Sequence, residues 1–265
     1  RLALSFEEMT DLPRAEREAL AEAFTLTAPE TAKLSRSRDG TAKHLWRLAD
    51  DELIESVLIP ARERLTLCIS SQAGCAMART FCATGWMGYQ RQLTTGEIIA
   101  QYRGAQRWAQ ENDYGPITNI VFMGMGEPLM NPKAVFPTLA LLNGPYGVGA
   151  RRITVSTVGI LPGILAMAEM PEQYRLAVSL HAPNHELRQQ LNYQRALVDF
   201  QRVQVTACYQ KPCVRRGLYL CQQRRFIVFQ IQPRDLRTRR HDRLDPALRQ
   251  LEHPPHHRPD RTPVR

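Results

Sequence analysis

Between Leu65 and Leu180 the chain alternates β-type runs with helical ones, and that alternation restricts it to a parallel sheet joined by crossover helices. Leu65 to Ser70, Ile117 to Met123, Arg152 to Ser156 and Arg175 to Leu180 read as strands. Helices are predicted from Gly96 to Gln110, around Val135 to Leu142 and near Leu161 to Ala168, the first opened by a capping box of Thr94 and Glu97. Two further strands, Thr41 to Trp46 and Leu53 to Ile59, precede this repeat. Upstream, Ser5-Phe-Glu-Glu8 reads as a capping box on a short helix, and Asp11-Leu-Pro13 opens another that runs from Ala15 to Phe24. Sites in parallel sheets lie beyond the C-terminal ends of the strands. Four polar or glycine-containing blocks fall there: Cys75 after the first strand of the repeat, Gly126-Glu127 after the second, Ser156 at the end of the third, and Ser179-Leu180-His181 at the end of the fourth.

The first block is the most specific. Gly74-Cys75-Ala-Met-Ala-Arg79-Thr-Phe-Cys82 is one residue short of CxxxCxxC, a spacing whose three thiolates hold a 4Fe-4S cluster and leave one iron open. Arg79 occupies the middle cysteine position. Soft thiolates retain iron–sulfur clusters where harder ligands do not, and a guanidinium has no lone pair to donate. Two thiolates alone hold such a cluster poorly or not at all. Without context, Cys75 and Cys82 read equally well as two buried core cysteines.

The blocks taken together resemble the RlmN-type family of radical-SAM RNA adenine methyltransferases, to which the antibiotic-resistance enzyme Cfr belongs. The likeness is carried by Cys68-Ile-Ser-Ser-Gln-Ala-Gly-Cys75, by Phe81-Cys82-Ala-Thr-Gly through Glu97, by Phe122-Met-Gly-Met-Gly126-Glu127-Pro-Leu-Met-Asn131, and by Arg151 to Gly159 followed by Ser179-Leu-His181-Ala-Pro-Asn184. It runs from about Phe6 to about Leu191. It implies a partial (β/α) barrel of the radical SAM type, incomplete here, behind a small N-terminal helical accessory segment. It also implies a 4Fe-4S cluster on Cys75 and Cys82, and S-adenosyl-L-methionine (SAM) held by Gly126, Glu127, Ser156, Ser179, Leu180 and His181.

The implied reaction is radical methylation of carbon 2 of adenine in 23S ribosomal RNA, with transfer RNA left open as a second substrate. That carbon is electron-poor and cannot attack the SAM methyl as a nitrogen nucleophile would, so a radical must be delivered to it. In the family one SAM methylates a cysteine near the C-terminus, and a second is cleaved at the cluster to activate that methyl. By position Glu55 resembles the family's proton acceptor, and Cys68 the thiol that resolves the RNA adduct through a transient disulfide bond. Outside the resemblance, Glu55 reads as a solvated strand position, Cys68 as core, Gly124-Met-Gly126 as a turn and His181 as a structural histidine. Trp86, Tyr89 and Arg91 read either as contacts for RNA or as packing beside the loop. The implied partners are RNA and an electron donor such as a flavodoxin. The chain is expected to be a cytoplasmic monomer: no apolar run reaches the roughly 18 residues of a membrane span, and no basic-then-apolar leader is present.

Charge divides the chain at the same point as the resemblance. Residues 1–190 carry 19 Lys+Arg against 20 Asp+Glu, whereas residues 191–265 carry 16 against 6. The expected organisation is a truncated accessory domain over 1–50, a radical SAM core over 51–191 and an unassigned Arg-rich tail over 192–265. Cys208, Cys213 and Cys221 lie in that tail, none in a context that marks it as the methyl-accepting cysteine. Such a tail matches a shifted reading frame in a GC-rich gene, and it also matches a disordered basic arm that binds RNA phosphates. Its runs Leu218-Tyr-Leu-Cys and Phe226-Ile-Val-Phe have strand character, yet no turn chemistry organises them. The barrel is therefore expected to stop at the strand near Leu180, with that edge unpaired. An inactive remnant is the competing reading to an active enzyme.

Overall fold

The computed structural model describes residues 3, 5–26, 29–77 and 82–179, and the backbone of 218–220 and 227–231. Eleven strands and five helices follow in the order α1 (Arg14–Ala23), β1 (Glu30–Arg36), β2 (Ala42–Arg47), β3 (Leu53–Ala61), β4 (Arg64–Cys68), β5 (Gln72–Gly74), α2 (Ala83–Trp86), β6 (Tyr89–Gln92), α3 (Thr95–Glu111), β7 (Asn119–Phe122), α4 (Pro132–Asn143), β8 (Ile153–Thr157), α5 (Leu161–Ala168), β9 (Arg175–Ser179), β10 (Leu218–Leu220) and β11 (Ile227–Ile231). Nine strands share one sheet in the order β1-β2-β3-β4-β7-β8-β9-β11-β10, while β5 and β6 pair separately.

The α/β reading holds, and the parallel part of the sheet is β4-β7-β8-β9. Its connections run through α3, α4 and α5, the three helices predicted from the sequence. Alternation along the strands decides which face is covered. Leu65 and Leu67 of β4, Ile120 and Phe122 of β7, and Ile153 and Val155 of β8 share one core with Ile98 and Tyr102 of α3, Leu139 of α4 and Ile164 of α5. The alternate positions Glu55, Thr66, Cys68, Val121, Ser156 and Ser179 are half-buried and belong to the opposite face. Thr94 caps α3 as expected: its hydroxyl accepts from the Glu97 N–H while the Glu97 carboxylate accepts from the Thr94 N–H.

Three features differ from the sequence expectations. Ser5-Phe-Glu-Glu8 forms turns rather than a helix, although the Glu8 N–H reaches the Ser5 hydroxyl at 3.4 Å. A cap supplies one hydrogen bond, too little to nucleate a helix with no room to propagate before Pro13. Strand β1, unforeseen, pairs antiparallel with β2, and β2 forms a hairpin with β3 across the boundary placed at residue 50. The edge expected to be unpaired is covered, since β11 runs antiparallel along β9 from Val228↔Ser179 to Ile231↔Leu176 and β10 pairs outside it. Backbone donors and acceptors along β9 require partners, and Ile227–Ile231 supplies them across a long stretch of sequence that local pattern cannot bridge. Among the described residues no helix is long and apolar enough to cross a membrane.

On the helix-covered face, His44 of β2 is fully buried, stacked on Trp46 with ring centroids 4.7 Å apart and met edge-on by Trp108 at 5.0 Å. Neither imidazole nitrogen has a hydrogen-bond partner. Burial holds its pKa at about 4, below the ordinary 6.5, so the ring is neutral in the folded chain. On acidification the unfolded chain takes up this proton first. The stability tied to the neutral ring is therefore complete above pH 6.5 and is lost progressively as the pH falls toward 4. Urea unfolding across that window is expected to lose about 3 kcal/mol from this group. His44→Phe removes the proton-binding site, and its pH profile should be flatter by that amount.

Candidate active site

The polar run Ser70-Ser71-Gln72, directly after β4, is completely buried and is the hub of the site. Each of its three residues is tied to the loop after β7. The Ser70 hydroxyl donates to the Glu55 carbonyl at 2.6 Å and accepts from the Met125 N–H at 2.9 Å. The Ser71 and Gln72 N–H groups both donate to the Met125 carbonyl. The Gln72 side chain accepts from the Glu127 N–H and donates to Gln92 of β6, whose own amide donates to the Met130 carbonyl. From α3, Gln101 exchanges two hydrogen bonds with the Ser70 backbone, and Asn131 donates to the Ser71 and Leu93 carbonyls.

This close approach explains the glycines. A Cβ on Gly124 would lie 2.7 Å from the Ile69 carbonyl oxygen, and one on Gly126, at φ +96°, would lie 2.6 Å from the Gln72 side chain. Glu127 continues the weld to the next strand. Its carboxylate accepts from Leu129 N–H at 3.2 Å and from Val158 N–H, just beyond β8, at 2.9 Å. Glu127 is 2% exposed, and these two bonds join the loops after β7 and β8.

Cys75 is placed by the β5–β6 hairpin. Gly74, at φ +73°, has no room for a side chain, since a Cβ would lie 2.0 Å from the Gly88 carbonyl oxygen; Cys75 then donates its N–H to that same oxygen at 2.8 Å. Its thiol side is buried with Met77 against Val158. Cys82 is half-buried at the N-terminal end of the single turn α2, and Arg79 lies outside the described residues. Cys68, Cys75 and Cys82 are all free thiols.

The structure brings Ser156 and Ser179 together, hydroxyl oxygens 3.4 Å apart at the ends of neighbouring strands. Leu180 and His181 lie outside the described residues. Glu55 and Cys68 share a face, because Cys68 is paired with Val57 and Glu55 stands two residues before Val57. Glu55 is ion-paired with Lys43 of β2 at 2.8 Å. Burial pushes the Cys68 thiol up to about 11, against a smaller opposing effect from the Met123 N–H. Arg91, read from sequence as a contact for RNA or as packing, is committed within the chain: it grips the Glu97 carboxylate through both terminal nitrogens and pairs with Asp50. Trp86 and Met87 at the end of α2 and Tyr89 of β6 are exposed. Ser70, Ser71, Gln72 and Asn131 lie inside the motif blocks quoted from sequence but were given no role there, and Gln101 was not singled out. Their signal was three polar residues in succession between an apolar strand and a glycine, where chain direction changes inside a core.

The donor set does not fit a 4Fe-4S cluster. Two thiolates and a guanidinium flank the loop where three thiolates are needed. Among the described residues no group of three His, Cys, Asp or Glu side chains could hold a metal ion, so none replaces the missing ligand.

The sequence pattern of the Radical SAM superfamily matches residues 69–202. The chain is 58% identical over 189 residues to the probable dual-specificity RNA methyltransferase RlmN of Gemmatimonas aurantiaca, covering 71% of this chain and 52% of that protein. It is 48% identical over 193 residues to the dual-specificity RNA methyltransferase RlmN of Halorhodospira halophila, covering 72% and 53%. The crystal structure of a radical SAM methyltransferase from Sphaerobacter thermophilus superposes with a TM-score of 0.68 at 45% identity, over 72% of this chain and 57% of that one. The chain thus spans about half the length of the curated relatives it matches.

Two measurements check this geometry. Glu127→Gln keeps one acceptor for two donors, and urea unfolding should show a loss of about 2 kcal/mol. Alkylation of Cys68, followed by mass spectrometry, should rise about tenfold per pH unit from neutrality through pH 9 without reaching a plateau, because its thiolate is scarce until about pH 11.

Proposed function

Because the chain belongs to the radical SAM superfamily, we propose that it is the SAM-holding half of a barrel built to methylate carbon 2 of adenine in RNA, and that with Arg79 in its cluster loop it is a non-catalytic remnant. One observation carries the reading. The hub Ser70-Ser71-Gln72, through Glu127, welds the loops after β4, β7 and β8 into one end of the parallel sheet, with the Ser156 and Ser179 hydroxyls at the same end. The relatives' names support RNA as the substrate class, and 23S ribosomal RNA, with transfer RNA second, is the proposed target.

In this reading the backbone around Gly126 meets the SAM amino group, and Ser156 and Ser179 offer paired hydroxyls to its ribose and carboxylate. Glu127 also fastens the loops by accepting from Leu129 and Val158, and the remaining acceptor sites of its carboxylate are assigned to the SAM amino group. Glu55, ion-paired with Lys43, is the proton acceptor of the complete architecture and Cys68 its resolving thiol. An electron donor such as a flavodoxin is needed only by a chain that holds the cluster.

A second reading, a basic RNA-binding protein, is favoured by the 16 Lys+Arg against 6 Asp+Glu in residues 191–265. It requires RNA retention that weakens steeply with salt.

Equilibrium dialysis with labelled SAM tests the site. Retention should be weakened about fivefold to tenfold by Ser156→Ala, the value of one hydrogen bond; no retention by the parent chain overturns the reading. Incubation with 23S ribosomal RNA, SAM and a reductant should yield no 2-methyladenosine by mass spectrometry. Its appearance would overturn the remnant assignment.

A further inference from the structure

We propose that Trp86 and Tyr89, with Met87 between them, form a stacking platform for unpaired RNA bases at the rim of the site, and that it holds the nucleotides flanking the base brought to that end of the sheet. The inference rests on RNA as the partner class and names the surface that meets it.

The platform is exposed yet firmly held. Within four residues Trp86 is 79%, Met87 60% and Tyr89 44% exposed. Large apolar side chains left in water forgo the stabilisation that burial brings. Slackness of the hairpin does not account for their exposure. Gly88, at φ +76°, turns the chain between Met87 and Tyr89, and its carbonyl oxygen packs so closely on Gly74 that a Cβ there would lie 2.0 Å away. Gln92 bonds both Gln72 and the Met130 carbonyl, and Arg91 grips Glu97 and Asp50. A surface anchored in this way binds without first having to be ordered.

Continuity with the site identifies the occupant. Tyr89 is paired with Gly74, and the next residue, Cys75, packs against Val158, two positions beyond Ser156. The platform therefore adjoins the end of the sheet at which the Ser156 and Ser179 hydroxyls meet. A base is out of reach of such a site while it is stacked in RNA, so it must leave the stack, and each of its neighbours then loses a π face. Tryptophan and tyrosine rings replace that face, and they do so for any base. Charge points to bases rather than phosphates as the contact, because the only cation from Cys82 to Gln92 is Arg91, already paired with two carboxylates. With no second basic side chain in that segment, an anionic lipid surface finds no electrostatic anchor there.

The test uses the full chain and a single-stranded oligoadenylate of about ten nucleotides, a length such platforms span. Trp86 reports on its own contact: of the three tryptophans, Trp46 is 3% exposed and Trp108 is packed against the core. Tryptophan emission should fall as the oligoadenylate is added. The fall should persist in salt of about 0.2 M, where phosphate-driven binding is weakened by a factor of about a thousand or more. Affinity at that salt is read from the anisotropy of a labelled oligoadenylate. Trp86→Ala, Trp86→Leu and Tyr89→Ala should each weaken it about fivefold or more, whereas Trp86→Phe, which keeps a ring, should retain most of it. The proposal is overturned if Trp86→Leu binds as tightly as the parent chain, or if a duplex of the same length binds as tightly as the single strand. It is also overturned if emission responds to phosphatidylglycerol vesicles, or to protein concentration as for a second copy, and not to the oligoadenylate. RNA retained with no dependence on Trp86 or Tyr89 overturns the platform alone; RNA retained at no salt concentration overturns the RNA reading with it. SAM is absent throughout, so the SAM-holding half of the functional reading is tested separately.

Discussion

Buried hydrogen bonding at the end of β4 holds the site together. Ser70, Ser71 and Gln72 occupy a place where apolar side chains would pack with less desolvation, and they succeed only because every polar group shown there finds a partner on the loop after β7, on β6, on α3 or on β3. A half-satisfied network of this kind would be worse than an apolar core. Its completeness therefore specifies one arrangement of the loops over many. Gly124 and Gly126 are the counterpart in backbone, since the loop can come near enough to make those bonds only where no Cβ stands between.

The same network separates support from chemistry. Glu127 lies in a motif that resembles a SAM-binding loop, and its carboxylate also accepts from Leu129 and Val158, which fastens the second loop to the third. Arg91, which reads from sequence either as an RNA contact or as packing, is folded back onto Glu97 and Asp50. By contrast, Ser156 and Ser179 meet at 3.4 Å at the ends of neighbouring strands. Position in a motif told where these residues are, and the hydrogen-bond partners told what they can do.

In the proposed reading, the segment that starts at Cys75 on this support lacks one of the thiolates a 4Fe-4S cluster needs. Metal-site scaffolds and their ligands are different kinds of constraint: the scaffold is many weak contacts distributed over several elements, and the ligand set is a few atoms of required chemistry. Loss of a single ligand can therefore remove the metal without loosening the fold around it. Among the described residues, the core of β4, β7, β8 and the helices over them does not include Cys68, Cys75 or Cys82.

The sequence by itself determined the order and type of the central elements. Helices α3, α4 and α5 and strands β4, β7, β8 and β9 were legible because capping residues and hydrophobic period are local, and the placement of Cys75, Gly126, Ser156 and Ser179 after strands followed from that order. That a guanidinium stands where the resemblance calls for a thiolate was legible too, since ligand chemistry belongs to the side chain alone. Only the tertiary structure decided that β11 covers β9, that β1 and β2 extend the sheet, that Ser5 to Glu8 stays in turns, and that Ser70-Ser71-Gln72 fastens the site. The cover over β9 and the fastening of the site depend on partners some fifty-five to sixty residues away, such as Gln72 with Glu127, Ser71 with Asn131 and Ile231 with Leu176. Local propensity carries no information about which distant groups will arrive to satisfy a buried donor or an open strand edge.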